Sequence, residues 1–323
     1  MVNPCKSSKP SQGCYYNGDI LASMSQSEQS LSRFQIWMLA TRPKTLPAAA
    51  SGVVTGTALA LSDGHFRLGP ALAALLVALL LQIGSNLAND VYDYERGADA
   101  GERHGPMRVT QAQLLTPSQV KSGMLVVFGL STLLGLYLAF VAGWAVILIG
   151  LAAILSAIAY TGGPFPLGYY GLGDLFVFIF FGMAAVAGTY FVQAGSVSAG
   201  AWWMSLPIGW LIVDILVVNN LRDIDADRAA GKHTLAVRFG ERGSRVQYII
   251  LLVASYLLLP GLAFLGILPW TSLLAWLSFP LGWRTWQIVR EQAGRPLNAA
   301  LAGTGQTTLV YSLLFFVGML LSS

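Results

Sequence analysis

Long apolar runs constrain this chain more than any other feature. A helix needs about 20 apolar residues to cross a bilayer's hydrocarbon core. Nine segments approach that length, at approximately 46–62, 69–89, 121–141, 144–161, 173–193, 201–221, 246–265, 268–286 and 303–321. In lipid, backbone polar groups must pair internally, so only helices or a closed barrel can span it. Unbroken Leu/Ala/Val stretches lack the alternation of barrel strands. The expected fold is therefore all-α: a polytopic bundle of nine transmembrane helices. Only 11% of residues are charged and 55% are hydrophobic, against about 25% charged in soluble domains. That balance excludes an ordinary cytosolic protein, a disordered chain and a coiled coil. Residues 1–33 are rich in Ser, Gln and Gly, lack a run of signal-peptide length, and read as a disordered polar tail ahead of one membrane domain, 34–323.

The basic residues orient the bundle. With nine helices and an internal N-terminus, 18 of the 19 Lys and Arg fall on one side, Arg67 being the exception. The positive-inside rule makes that side cytoplasmic. The predicted location is the plasma (inner) membrane, multi-pass, with the N-terminus and an active-site cap in the cytoplasm. The net charge of +4 then needs no nucleic acid to explain it, and no protein partner is implied.

Two acidic arrays carry the chemistry. Asn86, Asp90 and Asp93 end the second apolar run at spacings of four and three, which share a helical face. Asp also opposes the macrodipole at a helix C-terminus, so a merely solvated helix end explains this array poorly. Asn219, Asp223 and Asp227 repeat the arrangement at the end of the sixth run. Opposed carboxylates repel unless a cation or protons neutralise them. Oxygen donors with no accompanying Cys or clustered His favour Mg²⁺, which binds through one or two carboxylates plus substrate phosphates. Catalysis is expected from Asp90, Asp93, Asp223 and Asp227. Arg103, Arg108, Arg222 and Lys232 are the expected diphosphate ligands, since departing diphosphate needs cations. Loop cations are also what topology alone predicts, so Arg222 and Lys232, nearest the second array, stand out. Arg42 and Lys44 guard the first helix. Asp174 begins the fifth, either as a favourable N-terminal charge or as a substrate-orienting group. Asp214, deep in the sixth, reads as a polar helix–helix contact. Tyr160, Tyr169 and Tyr170 read as interfacial anchors.

These motifs resemble the UbiA-type intramembrane prenyltransferases. The run Arg42-Pro43-Lys44-Thr45-Leu46-Pro47, residues 82–99, the run Gly105-Pro106-Met107-Arg108-Val109-Thr110, Gly171-Leu172-Gly173-Asp174 and residues 219–240 are similar to the 1,4-dihydroxy-2-naphthoate polyprenyltransferase branch. Many relatives carry a further Asp where this chain has Gly97, with Asp99 two residues later. The resemblance implies Mg²⁺ held by Asn86, Asp90, Asp93, Asn219, Asp223 and Asp227. It implies a polyprenyl diphosphate donor, 1,4-dihydroxy-2-naphthoate as acceptor, bound with help from Arg42, Lys44 and Asp174, and a decarboxylating transfer that, with later oxidation, gives demethylmenaquinone. The alternatives are another aromatic acceptor (4-hydroxybenzoate or homogentisate), a phytyl donor, or a cation-coupled transporter. Transporters usually place their acids near the bilayer midplane, whereas these lie at helix ends.

Overall fold

The structure is a computed structural model that describes residues 31–97 and 105–322. Apart from its last three residues, the expected tail lies outside that range, as do Asp99 and Arg103. Among the described residues every regular element is helical.

A short helix, α1 (Arg33–Thr41), opens on a capping box in which Ser32 and Gln35 satisfy each other's backbone amides. The chain turns at Arg42, in the left-handed region at φ 49°, and a 3₁₀ turn leads into α2 (Leu46–Ser62). Next come α3 (Leu68–Glu95), α4 (Pro117–Ala142) and α5 (Ala145–Ala159). Thr116 caps α4 with Pro117 at the first helical position, where a missing N–H costs nothing. Helix α6 (Gly173–Ala194) contains a π-helical stretch, Phe178–Ala184. After α7 (Ala199–Arg222), the short α8 (Ile224–Ala229) and α9 (Leu235–Phe264), a 3₁₀ run (Trp270–Ser278) leads into α10 (Phe279–Glu291), and α11 (Leu297–Leu320) closes the chain.

All nine apolar runs are helical, but only seven helices among the described residues are long and apolar enough to cross a membrane. This is a multi-pass membrane protein. Two runs fall short for identifiable reasons. Helix α5 has 15 residues, since Trp144 and the turn after Tyr160 bound it. The run expected over 268–286 is broken where Pro280 occupies the start of α10, a place that tolerates proline as a helix interior does not.

Packing follows from small residues. Gly52 and Gly56 of α2 face α6: a Cβ on Gly52 would lie 2.5 Å from Ala185 Cβ, and one on Gly56 2.4 Å from the Val186 carbonyl. The small-xxx-small spacing lets the two backbones meet where lipid supplies no hydrophobic drive. The largest buried cluster joins α2, α6, α7, α9, α10 and α11 through Leu59, Met204, Ile208, Tyr256 and Phe315. A second joins α1, α3 and α4 through Leu87, Val91, Val120 and Phe128. A cavity runs between them.

Replacing Gly56 by Leu forces α2 and α6 apart, an overpacking worth about 1–3 kcal/mol. Gly129→Leu is the control, since a Cβ there meets nothing within 4 Å. Thermal unfolding in detergent should show a lower Tm for Gly56→Leu and little change for Gly129→Leu.

Candidate active site

The cavity has a volume of about 850 Å³. Its polar end lies where α3 and α7 finish. Along α3 its wall descends from Asp93 through Asn89, Asn86, Gln82, Ala78 and Ala74, a spacing of three and four residues that spans about 28 Å at 1.5 Å per residue. Below Gln82 the walls are mostly apolar, with Ser131, Thr132 and Thr189 among the exceptions on the other helices. Leu136 and Ile147, which line it, are also half-exposed on the outer surface, so the lower cavity reaches the lipid-facing side between α4 and α5.

The first array is built by α3. Asn86 is fixed by its amide nitrogen, which donates to the Thr41 carbonyl at 2.9 Å and Thr45 Oγ1 at 3.0 Å, while its Oδ1 accepts from Gln82. The turn at Arg42 is thereby latched to α3. Asp93 is 2% exposed and receives three groups. Arg108 Nη2 donates to Oδ2 at 2.6 Å, the Tyr169 hydroxyl donates to Oδ1 at 2.8 Å, and Lys232 Nζ stands 3.6 Å from Oδ2. Arg108 also donates to the Asn89 carbonyl.

Asp90 departs from the expected ligand set. Its carboxylate accepts the backbone amides of Val109 at 3.1 Å and Thr110 at 3.0 Å, with Arg42 Nη2 3.9 Å away, and it does not line the cavity. At about 100° per residue, Asn89 and Asp93 fall on one side of Asn86 and Asp90 on the other. Asn89, which the spacing argument passed over, takes the place on the wall. Asp90 instead folds the segment 105–110 back over the site and so delivers Arg108.

The second array ends α7. Arg222 is 3% exposed. Its Nε and Nη2 grip both oxygens of Asp223 at 3.0 and 2.6 Å, Nη2 also donates to Asn219 Oδ1 at 2.8 Å, and Nη1 donates to Asn298 Oδ1 at 2.9 Å. Four donations from one guanidinium fix its plane. Asp227, on α8, has Lys232 Nζ 3.4 Å from Oδ1. Burial pushes the Asp227 carboxyl above its ordinary pKa, with the Lys232 charge pulling the other way. The Tyr169 hydroxyl is likewise raised, by burial first and then by the Asp93 charge, so it stays a proton donor.

Of the remaining candidates, Arg42 and Lys44 line the cavity. Asp174 does not: its Oδ1 accepts from Gln247 of α9 at 2.7 Å. Tyr169, read as an interfacial anchor, instead touches Asp93 and lies beneath Lys232. Asn298, at the start of α11, had no motif to reveal it.

The oxygen donors on the wall include Asn86, Asn89, Asp93, Asn219, Asp223 and Asp227. Among the described residues no three acidic, His or Cys side chains form a metal site by themselves. Carboxylates supplemented by amides and substrate oxygens are, however, a hard-oxygen donor set that suits Mg²⁺, so Asp93, Asp223 and Asp227 with these amides fit that ion.

A helical membrane bundle with two oxygen-rich arrays facing each other above an apolar cavity defines an intramembrane site for an amphiphile with a charged head. The chain belongs to the UbiA prenyltransferase family, which matches residues 49–302. It is 39% identical to a 1,4-dihydroxy-2-naphthoate octaprenyltransferase of Escherichia coli (strain K12), over 91% of this chain and 98% of that protein. It is also 39% identical to one of Mycobacterium tuberculosis, over 88% and 96%. Among solved structures, a UbiA homologue from Archaeoglobus fulgidus bound to GPP and Mg²⁺ matches with a TM-score of 0.65 at 15% identity, covering 88% of this chain and 99% of that one. A homologue from Aeropyrum pernix K1 matches with the same TM-score at 14% identity, covering 90% and 99%. These two show the shared fold.

If Asp90 holds the 105–110 segment, Asp90→Ala leaves two buried amides unsatisfied and costs about 2–5 kcal/mol of stability. Asp90→Asn, which keeps one acceptor oxygen, costs less. Thermal unfolding of both variants in detergent checks the order.

Proposed function

We propose that this protein transfers an isoprenyl chain from a polyprenyl diphosphate to 1,4-dihydroxy-2-naphthoate with loss of CO₂, giving the quinol that a later, separate oxidation converts to demethylmenaquinone. The observation that carries the reading is the cavity itself: two oxygen arrays and their cations at one end and, from Gln82 down to Ala74 on α3, about 12 Å of mostly apolar wall below. That shape suits a diphosphate head with an isoprenyl tail that continues into lipid. The relatives named as octaprenyltransferases support a long donor and the naphthoate acceptor.

Asp93, Asp223 and Asp227, with Asn86 and Asn219, would hold Mg²⁺. When bound, the ion supplies Lewis-acid stabilisation to the departing diphosphate. The chain's own residues do the rest. Arg108, Arg222 and Lys232 offset the charge that develops as the allylic C–O bond breaks. The apolar wall formed by Phe180, Phe181 and Ala184 keeps water from the allylic cation. Arg42 and Lys44, across the cavity on the chain leading into α2, bind the acceptor's carboxylate. The ring carbon then forms the new C–C bond, and departure of CO₂ returns the bonding electrons to the ring. Asp90 serves by positioning Arg108, and Arg103, outside the described residues, stays a proposed diphosphate ligand. Asp174 acts through α9 rather than on the acceptor.

The finer architecture belongs to the same proposal. One membrane domain over 34–323 crosses nine times, α5 and the 270–291 segment included, in the plasma (inner) membrane. The charge asymmetry supports a cytoplasmic N-terminus, active site and cap. Reporter fusions near Gly231 and at Ser323 should report opposite sides; a common side refutes this topology.

The function is tested on purified protein with Mg²⁺, a polyprenyl diphosphate and both candidate acids in competition. Expected are one CO₂ per prenylation, 4-hydroxybenzoate nearly unused, and arrest by chelation. Asp93→Ala and Asp223→Ala should each lower turnover at least 100-fold. Product that retains its carboxylate would overturn the naphthoate assignment and leave prenyl transfer standing.

A further inference from the structure

Lys232 sits where neither topology nor phosphate binding alone requires it. Its ammonium is 3.6 Å from Asp93 Oδ2 and 3.4 Å from Asp227 Oδ1. One monovalent cation thus joins the array on α3 to the array that ends on α8. It also lies 4.8 Å from the centroid of the Tyr169 ring, within cation–π range, and that tyrosine's hydroxyl donates to Asp93 Oδ1. The seat is built from the backbone as well. The amide of Lys232 donates to the Asp227 carbonyl at 2.9 Å, and the amide of the next residue, His233, donates to the Tyr169 carbonyl at 2.7 Å. The side chain is 15% exposed.

A divalent cation held by both arrays would draw on the same two carboxylates, of which Asp93 already takes Arg108 at 2.6 Å. Two cations within a few ångströms of one carboxylate oxygen, in a buried site, repel each other. We infer that Lys232, seated on Tyr169, competes with the divalent cation for Asp93 and Asp227, and that the donor's diphosphate relieves the competition by offering the ammonium a new anion. The inference rests on reading the arrays as a metal–diphosphate clamp. It makes Lys232 the source of a coupling between two ligands, and such coupling is reciprocal. Metal without diphosphate binds weakly, diphosphate without metal binds weakly, and the two load together. Tyr169 acts in this as a positioning residue.

The test uses the detergent-solubilised full chain and Mn²⁺ alone, titrated by electron paramagnetic resonance, then Mn²⁺ with inorganic diphosphate. Lys232→Met should bind Mn²⁺ alone at least tenfold more tightly than the parent, while Lys232→Arg, which keeps the charge, should stay near the parent. Tyr169→Leu should tighten Mn²⁺ alone at least threefold, and it carries the test should Lys232→Met fail to give a cooperative melt. If the lysine serves only the phosphate, Mn²⁺ alone binds parent and variants equally, which overturns the inference and leaves the clamp intact. If Mn²⁺ binds none of them, with or without diphosphate, the clamp reading itself fails and the inference with it.

Discussion

Carboxylates from different helices meet at one end of an apolar bundle, and like charges in a poorly solvated place are unfavourable unless each finds a counter-charge. The polar end is organised around that requirement. Asp93 takes Arg108 and Lys232, Asp223 takes Arg222, and Asp227 takes Lys232. None of these cations arrives by chance of topology alone. Arg108 is delivered because Asp90 holds the amides of Val109 and Thr110. Arg222 is held flat because α11 contributes Asn298. Lys232 is seated by a turn that ties residue 233 to residue 169. The loops at this end are shaped by charge neutralisation, and the helices below them by apolar packing.

The two regimes are joined on single helices. On α3 one stripe of residues carries Asp93 at its top and Ala74 at its bottom, so the helix that presents a carboxylate also presents the wall of a tail-binding space. The small residues on this stripe leave volume that larger ones would fill. The opposite wall uses the π-helical turn of α6, which carries Phe180 and Phe181 into the cavity. A π turn inserts one residue into the helical register and shifts which side chains face inward. An amphiphile is therefore matched along its length without separate head and tail domains.

Much of this was legible in the sequence. Helical spans follow from length and hydropathy, and Asn86, Asp93, Asn219 and Asp223 follow from spacing, because residues separated by nearly whole turns share a face. The errors are geometrical. Asp90 and Asn89 straddle Asn86, and spacing alone cannot say on which side the cavity lies. Pro280 was a visible helix start inside a run read as continuous. Tyr169, in a short 3₁₀ stretch, and Asn298, at the start of α11, are distant in sequence from both arrays, and their partners, Asp93 and Arg222, are known only once the chain is folded. Asp174, read as a helix-start charge or a substrate-orienting group, lies off the cavity wall with its Oδ1 accepting from Gln247, 73 positions away, a pairing that spacing does not reveal.

The three cations of the site are not equivalent. Arg108 and Arg222 bind through planar guanidinium groups at 2.6 Å, and Arg222 grips both oxygens of its neighbour. Short, charge-assisted and partly bidentate bonds of this kind are the strong ones. Lys232 stands at 3.4 and 3.6 Å from its two carboxylates, beyond that range, on a flexible stem and against an aromatic face that holds charge without directing it. An ammonium is a point charge with rotatable donors and an arginine a rigid fork. The division follows from those chemistries. The arginines keep the arrays folded whether or not a substrate is present, and the lysine is bound weakly enough to both arrays that a phosphate oxygen in the cavity between them can take it over.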